Sequence, residues 1–321
     1  MARIIEHGTW NLTPADEGLH EPGLELLWNE SYYFDFAAPD GSVAGYVRLG
    51  LYPNWDRAWY WAALVRPGRP LLLIADNNAP LPKPGTADVR TDAYTATQEI
   101  PDPFGPARIT LRGSASVLPG PTGAAAEPET VGLSFDLRWD TVSGVYPYKD
   151  IPRYEIPCTV TGLVSVGGEK IDIDAHGERD HSWGERDWWK VSWLWTSGRL
   201  DDGTHVHGMQ ANIGFPLPWP CFAVPPDGDI EHRAGFSAET TFADGLPARS
   251  DLRFPGAPMT VTPVAFAPVA VTSPDGVEAN FPRALCRFET EDGRTGHGWT
   301  EWHQPPGWED HGWTHLAEES A

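Results

Sequence analysis

Three segments of the chain set side chains that can carry protons among large aromatic rings. The first is HGERDHSWGERDWWKVSWLW, residues 176–195. It holds five of the sixteen tryptophans, with Glu178, Arg179, Asp180, His181, Glu185, Arg186 and Asp187 threaded between them. Buried charge is costly unless paired, so this is either a salt-bridged barrel wall or the chemical centre of an apolar pocket. As a strand, its alternation puts Arg179, His181 and Trp183 on one face and Asp180 and Ser182 on the other. Histidine is the side chain best suited to proton transfer near neutral pH, and an indole face stabilises a developing cation. Together they suit an alkene or a tertiary alcohol, whose protonation creates a carbocation. On the structural alternative, Arg179–Asp180 and Arg186–Asp187 are barrel-rim ion pairs with His181 hydrogen-bonded behind them.

The second segment, THVHG, places His205 and His207 on one strand face, a spacing compatible with a metal. A cupin-type site would need a carboxylate a few residues on, and GMQANIGF supplies none, so neither a metal nor a cofactor is expected. The third, GHGWTEWHQPPGW, carries Glu301 and Trp299 on one strand face. Glu301 is either a buried general acid with a raised pKa or the salt-bridge partner of an arginine. No GxSxG, Walker loop, GxGxxG or HExxH occurs.

The elements that must position these residues read as short β runs. Pro 32 and Gly 33 in 321 residues suit strands joined by turns and argue against a helical bundle. SYYFDFAAPDGSVAGYVRLGLY is two strands about a Pro39-Asp40-Gly41 turn, and SWLWTSGRLDDGTHVHGMQANI is two more about Asp202-Gly203. VLPGPTGAAAEPET and GFPLPWPCFAVPP read as irregular loops, SGVYPYKDIPRYEIP as a crossing at a barrel mouth or edge, and the tail HLAEESA as helical or frayed. A weak repeat organises the chain. Each half opens on an aromatic hairpin and closes on a strand in which glycine leads, three residues later, to an acid: Gly177 to Asp180, and Gly298 to Glu301. The fold class expected is all-β, two tandem antiparallel lipocalin-like (calycin) barrels spanning 1–188 and 189–321.

A net charge of −22 argues against nucleic acid or an anionic membrane surface as partner. No apolar run is long enough to span a bilayer, and the N-terminus lacks an apolar signal core. Cys158, Cys221 and Cys286 form no CxxC and suit buried thiols in a reducing cytoplasm. The partner expected is a hydrophobic small molecule, with no stable membrane insertion; a homodimer is compatible with the sequence.

GERDHSWGERDWW (177–189), SWLWTSGRLDDG (192–203) and GHGWTEW (296–302) resemble segments of the carotenoid 1,2-hydratase (hydroxyneurosporene synthase)/AttH-like family, whose members have two successive lipocalin-like barrels. ESYYFDFAAPDGSVAGYVRLGLYPN likewise resembles the N-terminal hairpin of bacterial relatives. The resemblance implies water addition to isoprenoid double bonds, or cyclisation, in a deep apolar cavity. It assigns a His-x-Trp pair to that cavity, matched by His181-Ser182-Trp183. The family's Tyr-x-Asp pair, whose aspartate donates the proton, is missing where HVHGMQ stands. That leaves His181, Asp180 or Glu301 as acids and His205 or His207 as replacements.

The function expected is a cofactor-independent acid/base lyase or isomerase acting on a terpenoid- or steroid-like substrate. Its catalytic candidates are His181, Asp180 and Glu301; Trp183, Trp193, Trp195, His205, His207 and Trp299 would line the pocket. The alternatives are a non-catalytic carrier of a hydrophobic ligand and a metal enzyme using His205 and His207. Arg179, Arg186 and Asp187 are read as barrel-closing structure.

Overall fold

The structure, a computed structural model, describes residues 3–5, 11–120, 129–149, 151–219, 221–311 and 313. The tail 315–321 and most of the proline-rich loop after Leu118 lie outside the described residues. Eight strands follow one another in antiparallel pairing: Trp28–Ala37, Ala44–Tyr52, Arg57–Val65, Leu71–Ala79, Ala107–Leu118, Glu129–Thr141, Arg153–Val166 and Glu169–Glu185. The last pairs back with the first, Asp180 opposite Tyr33, which closes the sheet into an up-and-down barrel. Closure leaves no edge among these strands to attract another chain. The alternation is legible in the first strand: Tyr32, Phe34 and Phe36 fill the lumen with Val47, Leu49 and Leu64, while Tyr33 and Asp35 point outward.

The second sheet repeats the meander from Ser192–Leu200 through His205–Asn212 to the closing strand Thr295–His303, which again returns to the first, Glu301 opposite Trp195. It leaves a seam between His205–Asn212 and Ser237–Ala243. There the Gln210 amide takes the place of a ladder: its Oε1 accepts from the Ala238 N–H at 2.9 Å, and its Nε2 donates to the Ala238 carbonyl at 3.4 Å. Leu194, Phe236, Val261, Phe288 and Trp302 fill its interior.

A third core lies between the two. The outward faces of both sheets pack Tyr33, Tyr46, Trp59 and Trp61 against Trp193, Trp195, Leu285 and Trp299. An added hairpin, Val269–Thr272 with Glu278–Phe281, caps this layer. The fold is all-β, and among the described residues no helix is long and apolar enough to cross a membrane. The three cysteines are buried free thiols. Two segments read as loop or crossing form strands: Cys221–Val224 pairs with His205–His207, and Gly144–Pro147 pairs with the start of Arg153–Val166. Flanking prolines conceal both.

Candidate functional site

Strand register assembles the site. In the first sheet Glu155, Asp180, Tyr33 and Arg48 stand in one lateral row across four neighbouring strands. In the second sheet the corresponding row is Arg283, Glu301, Trp195 and Met209. The rows face each other across the junction, with Tyr33 edge-on to Trp195 at 5.5 Å between ring centroids. Between them lies a cavity of about 400 Å³, lined by every member of both rows except Glu155, together with Trp183, Trp188, Trp193 and Trp219. The segment joining the barrels supplies part of the wall through Arg186, Asp187, Trp188 and Val191.

The two acids in this cavity differ. Glu301 is held on both oxygens: Oε1 accepts from Trp193 Nε1 at 2.6 Å, and Oε2 pairs with Arg283, whose guanidinium also lies over Tyr33 and Tyr46. Among the described residues Asp180 accepts a single bond, from Arg153 Nη2 at 2.8 Å; Arg153 also donates to Glu155 at 2.6 Å. Burial pushes the Asp180 carboxyl above its usual range, against the pull of Arg153, Arg186 and Arg48. A carboxyl whose pKa is raised by burial beside an apolar space is suited to proton transfer.

Behind the cavity wall lies a fully buried polar cluster. Glu178 Oε2 is 2.7 Å from His205 Nε2 and accepts from Ser197, while Oε1 is 2.7 Å from His207 Nδ1; His207 Nε2 meets the Tyr148 hydroxyl at 2.7 Å. Burial alone would raise the Glu178 carboxyl, but His207 and His205 hold it well below its usual range; Glu155 is pushed well above, chiefly by burial. His205 and His207 therefore face a carboxylate from the other barrel and do not line the cavity. Glu155, Glu178 and His207 present ligand atoms close enough to share a cation. The carboxylate missing along strand 205–212 is supplied across the junction.

His181 lies on the other side of its strand, inside the first barrel. It is fully buried, stacked on Tyr32, with Nε2 2.9 Å from Glu30 Oε1 and Nδ1 3.3 Å from the Tyr154 hydroxyl. The Glu30 oxygen also meets His20 Nδ1 at 2.7 Å, and His20 stacks on Trp183 at 3.8 Å. An enclosed space shared by His181, Trp183 and Glu301 is therefore not formed. Trp183, at the barrel rim before Gly184 (φ 111°), reaches the junction cavity; His181 does not. Trp299 is also behind the wall, its Nε1 donating to the Phe36 carbonyl at 3.0 Å.

The proposed rim pairs are replaced. Arg179 forks onto Glu17 at 2.9 and 3.0 Å, Asp180 pairs with Arg153, and Asp187 with Lys190 at 2.6 Å. Arg186, read as barrel-closing, lines the cavity instead. Sequence reasoning passed over Arg48, Arg153, Arg283, Glu155 and Glu17. A signal for Arg48 was present: in YVRLGLY it shares a strand face with Tyr46 and Tyr52, an arginine on an aromatic stripe.

Two antiparallel meanders in tandem, with acid-bearing closing strands facing across an aromatic cavity, define a double-barrel protein of lipocalin type. The chain belongs to the family described as a domain of unknown function, DUF7064, whose model matches residues 13–306. No curated protein matches the sequence. Among solved structures it is similar to a putative AttH from Nitrosomonas europaea, with a TM-score of 0.63 and 16% identity over 94% of this chain and 98% of that one. Kievitone hydratase from Nectria haematococca gives a TM-score of 0.58 and 13% identity over 88% and 91%. CghA gives 0.55 and 13% over 88% and 89%. At these identities the likeness is one of fold.

Proposed function

We propose that the junction cavity binds a hydrophobic, terpenoid- or steroid-like molecule and that Asp180 moves a proton to or from it, as a cofactor-independent hydratase, dehydratase or cyclase. The observation that carries this reading is a buried, raised-pKa carboxyl facing a space walled by Trp183, Trp188, Trp193 and Trp195. Protonated Asp180 gives its proton to one alkene carbon, whose π pair forms the new C–H bond, and the cation left on the other carbon sits against indole faces. Water, or an internal double bond, supplies the closing electron pair. Asp180 takes a proton back, so acid and water balance. Glu301, which accepts from Trp193 and pairs with Arg283, faces the same space and stands near the cation. That a protein of this fold is named a hydratase supports the class of reaction.

The test incubates purified protein with isoprenoid alcohols and alkenes and follows products by mass spectrometry. Asp180→Asn should abolish turnover while ligand still quenches tryptophan fluorescence; an Asp180→Asn protein as active as the parent refutes the assignment. A co-purified ligand that stays unchanged on incubation favours the carrier reading. A separate reading, a metal enzyme, draws on Glu155, Glu178 and His207, whose ligand atoms lie close enough to share a cation and of which Glu155 Oε2 has no hydrogen-bond partner among the described residues. Elemental analysis of the purified protein tests it, and substoichiometric metal ends it.

A further inference from the structure

We propose that the ligand of the junction cavity carries a carboxylate, held between Arg48 and Arg186. The proposal rests on the preceding reading of the cavity as a ligand site and adds what charge that ligand bears. Arg48 is 3% exposed, neither of its terminal nitrogens makes a well-aligned hydrogen bond, and among the described residues the polar group beside it is the Tyr52 hydroxyl. Its guanidinium is clamped between rings, 4.6 Å from the Trp61 centroid and 5.0 Å from that of Trp188. Gly50 makes the room, since a Cβ there would stand 2.4 Å from Arg48 Nη1. Arg186 lies over the same Trp188 at 5.8 Å, and no carboxylate among the described residues comes within ion-pairing distance of it.

The other two cavity arginines are already committed, Arg153 to Glu155 and Asp180, Arg283 to Glu301. The Tyr52 hydroxyl beside Arg48 offers no charge: burial pushes its pKa up, and it already accepts from Trp188 Nε1 at 2.8 Å. Burial lowers the pKa of Arg48, and burial with the neighbouring Arg153 lowers that of Arg186 to about 10. Both arginines feel the Asp180 carboxyl, but that carboxyl is already paired with Arg153. In the facing row the position corresponding to Arg48 is Met209. The fold thus accepts an apolar side chain at this point, and the charge in the first row answers a need other than packing. A planar carboxylate meets the donor fork of a guanidinium in two parallel bonds, while the tryptophan walls take its apolar body.

The experiment compares binding of decanoate, 1-decanol and decylamine by tryptophan fluorescence and calorimetry at pH 8. Decanoate should bind about tenfold or more tightly than 1-decanol, the difference a charge-assisted hydrogen bond supplies. Arg48→Met and Arg186→Met should each remove most of that preference, read as the ratio of decanoate to 1-decanol affinity. Arg186 is only half-buried, so its variant keeps the test readable if Arg48→Met folds poorly. Equal affinity for acid and alcohol in the parent protein, or a preference that survives both substitutions, overturns the carboxylate subsite alone. If none of the three probes binds, the reading of the cavity as a ligand site falls with it.

Discussion

Replacing Glu17 with glutamine tests how the strand bearing the site residues is locked. Glu17 is buried and accepts four bonds: two from Arg179, one from the Tyr154 hydroxyl at 2.7 Å and one from the Phe104 N–H at 2.5 Å. Arg179 is 1% exposed, so Glu17→Gln leaves a buried cation without its counter-ion. Breaking one side of a buried pair costs about 3–5 kcal/mol, which for a domain of this size is a fall of about 6–20 °C in Tm. The assay is urea and thermal unfolding followed by circular dichroism. Removing both partners in Glu17→Gln/Arg179→Met should restore more than half of the loss. The pH profile gives an independent reading. Burial alone would raise the Glu17 carboxyl, but Arg179, Tyr154 and the Phe104 N–H bring it below its ordinary 4.5. A carboxyl lowered on folding binds fewer protons in the native state than in the unfolded chain. Its stabilisation is therefore complete above about pH 4.5 and fades as pH falls through the native value. The gap between parent and Glu17→Gln should close below that pH. A loss under about 1 kcal/mol, the value of an exposed pair, with no closing at acid pH, would refute the reasoning.

The seam of the second sheet should yield to Gln210→Leu. That change leaves the Ala238 N–H and carbonyl without their side-chain partner at about 1–3 kcal/mol for an orphaned buried group, and hydrogen exchange at Ala238 should quicken; unaltered exchange would mean the amide does not hold the seam. Glu178→Gln should cost about 3–5 kcal/mol by stripping His205, His207 and Ser197 of a buried carboxylate, read by urea unfolding; a neutral result would mean the cluster carries no net charge interaction.

The sequence carried the strand pattern, the turns at Gly41 and Gly203, and the alternation that separates Asp180 from His181. It did not carry which of those two faces meets the cavity. All ten residues of Trp28–Ala37 are buried, because one face fills the lumen and the other meets the second barrel. Period two therefore has no polar side by which to orient it. The same double burial hid the role of the histidines: His181 and His205 both sit by acids, but on opposite sides of one barrel wall. Glu17 stands 162 positions from Arg179, and no local spacing announces such a pairing. The acids opposite each other, Asp180 and Glu301, were marked by the repeat, since both occupy the closing strand of their unit.

The segment between Glu185 and Ser192 has two duties. It is the connection between the barrels, and through Arg186, Trp188 and Val191 it is also cavity wall. Connection and lining are thus the same few residues. A substitution at Arg186, Trp188 or Val191 therefore changes the connection and the cavity wall together, while both lumens are filled by other residues.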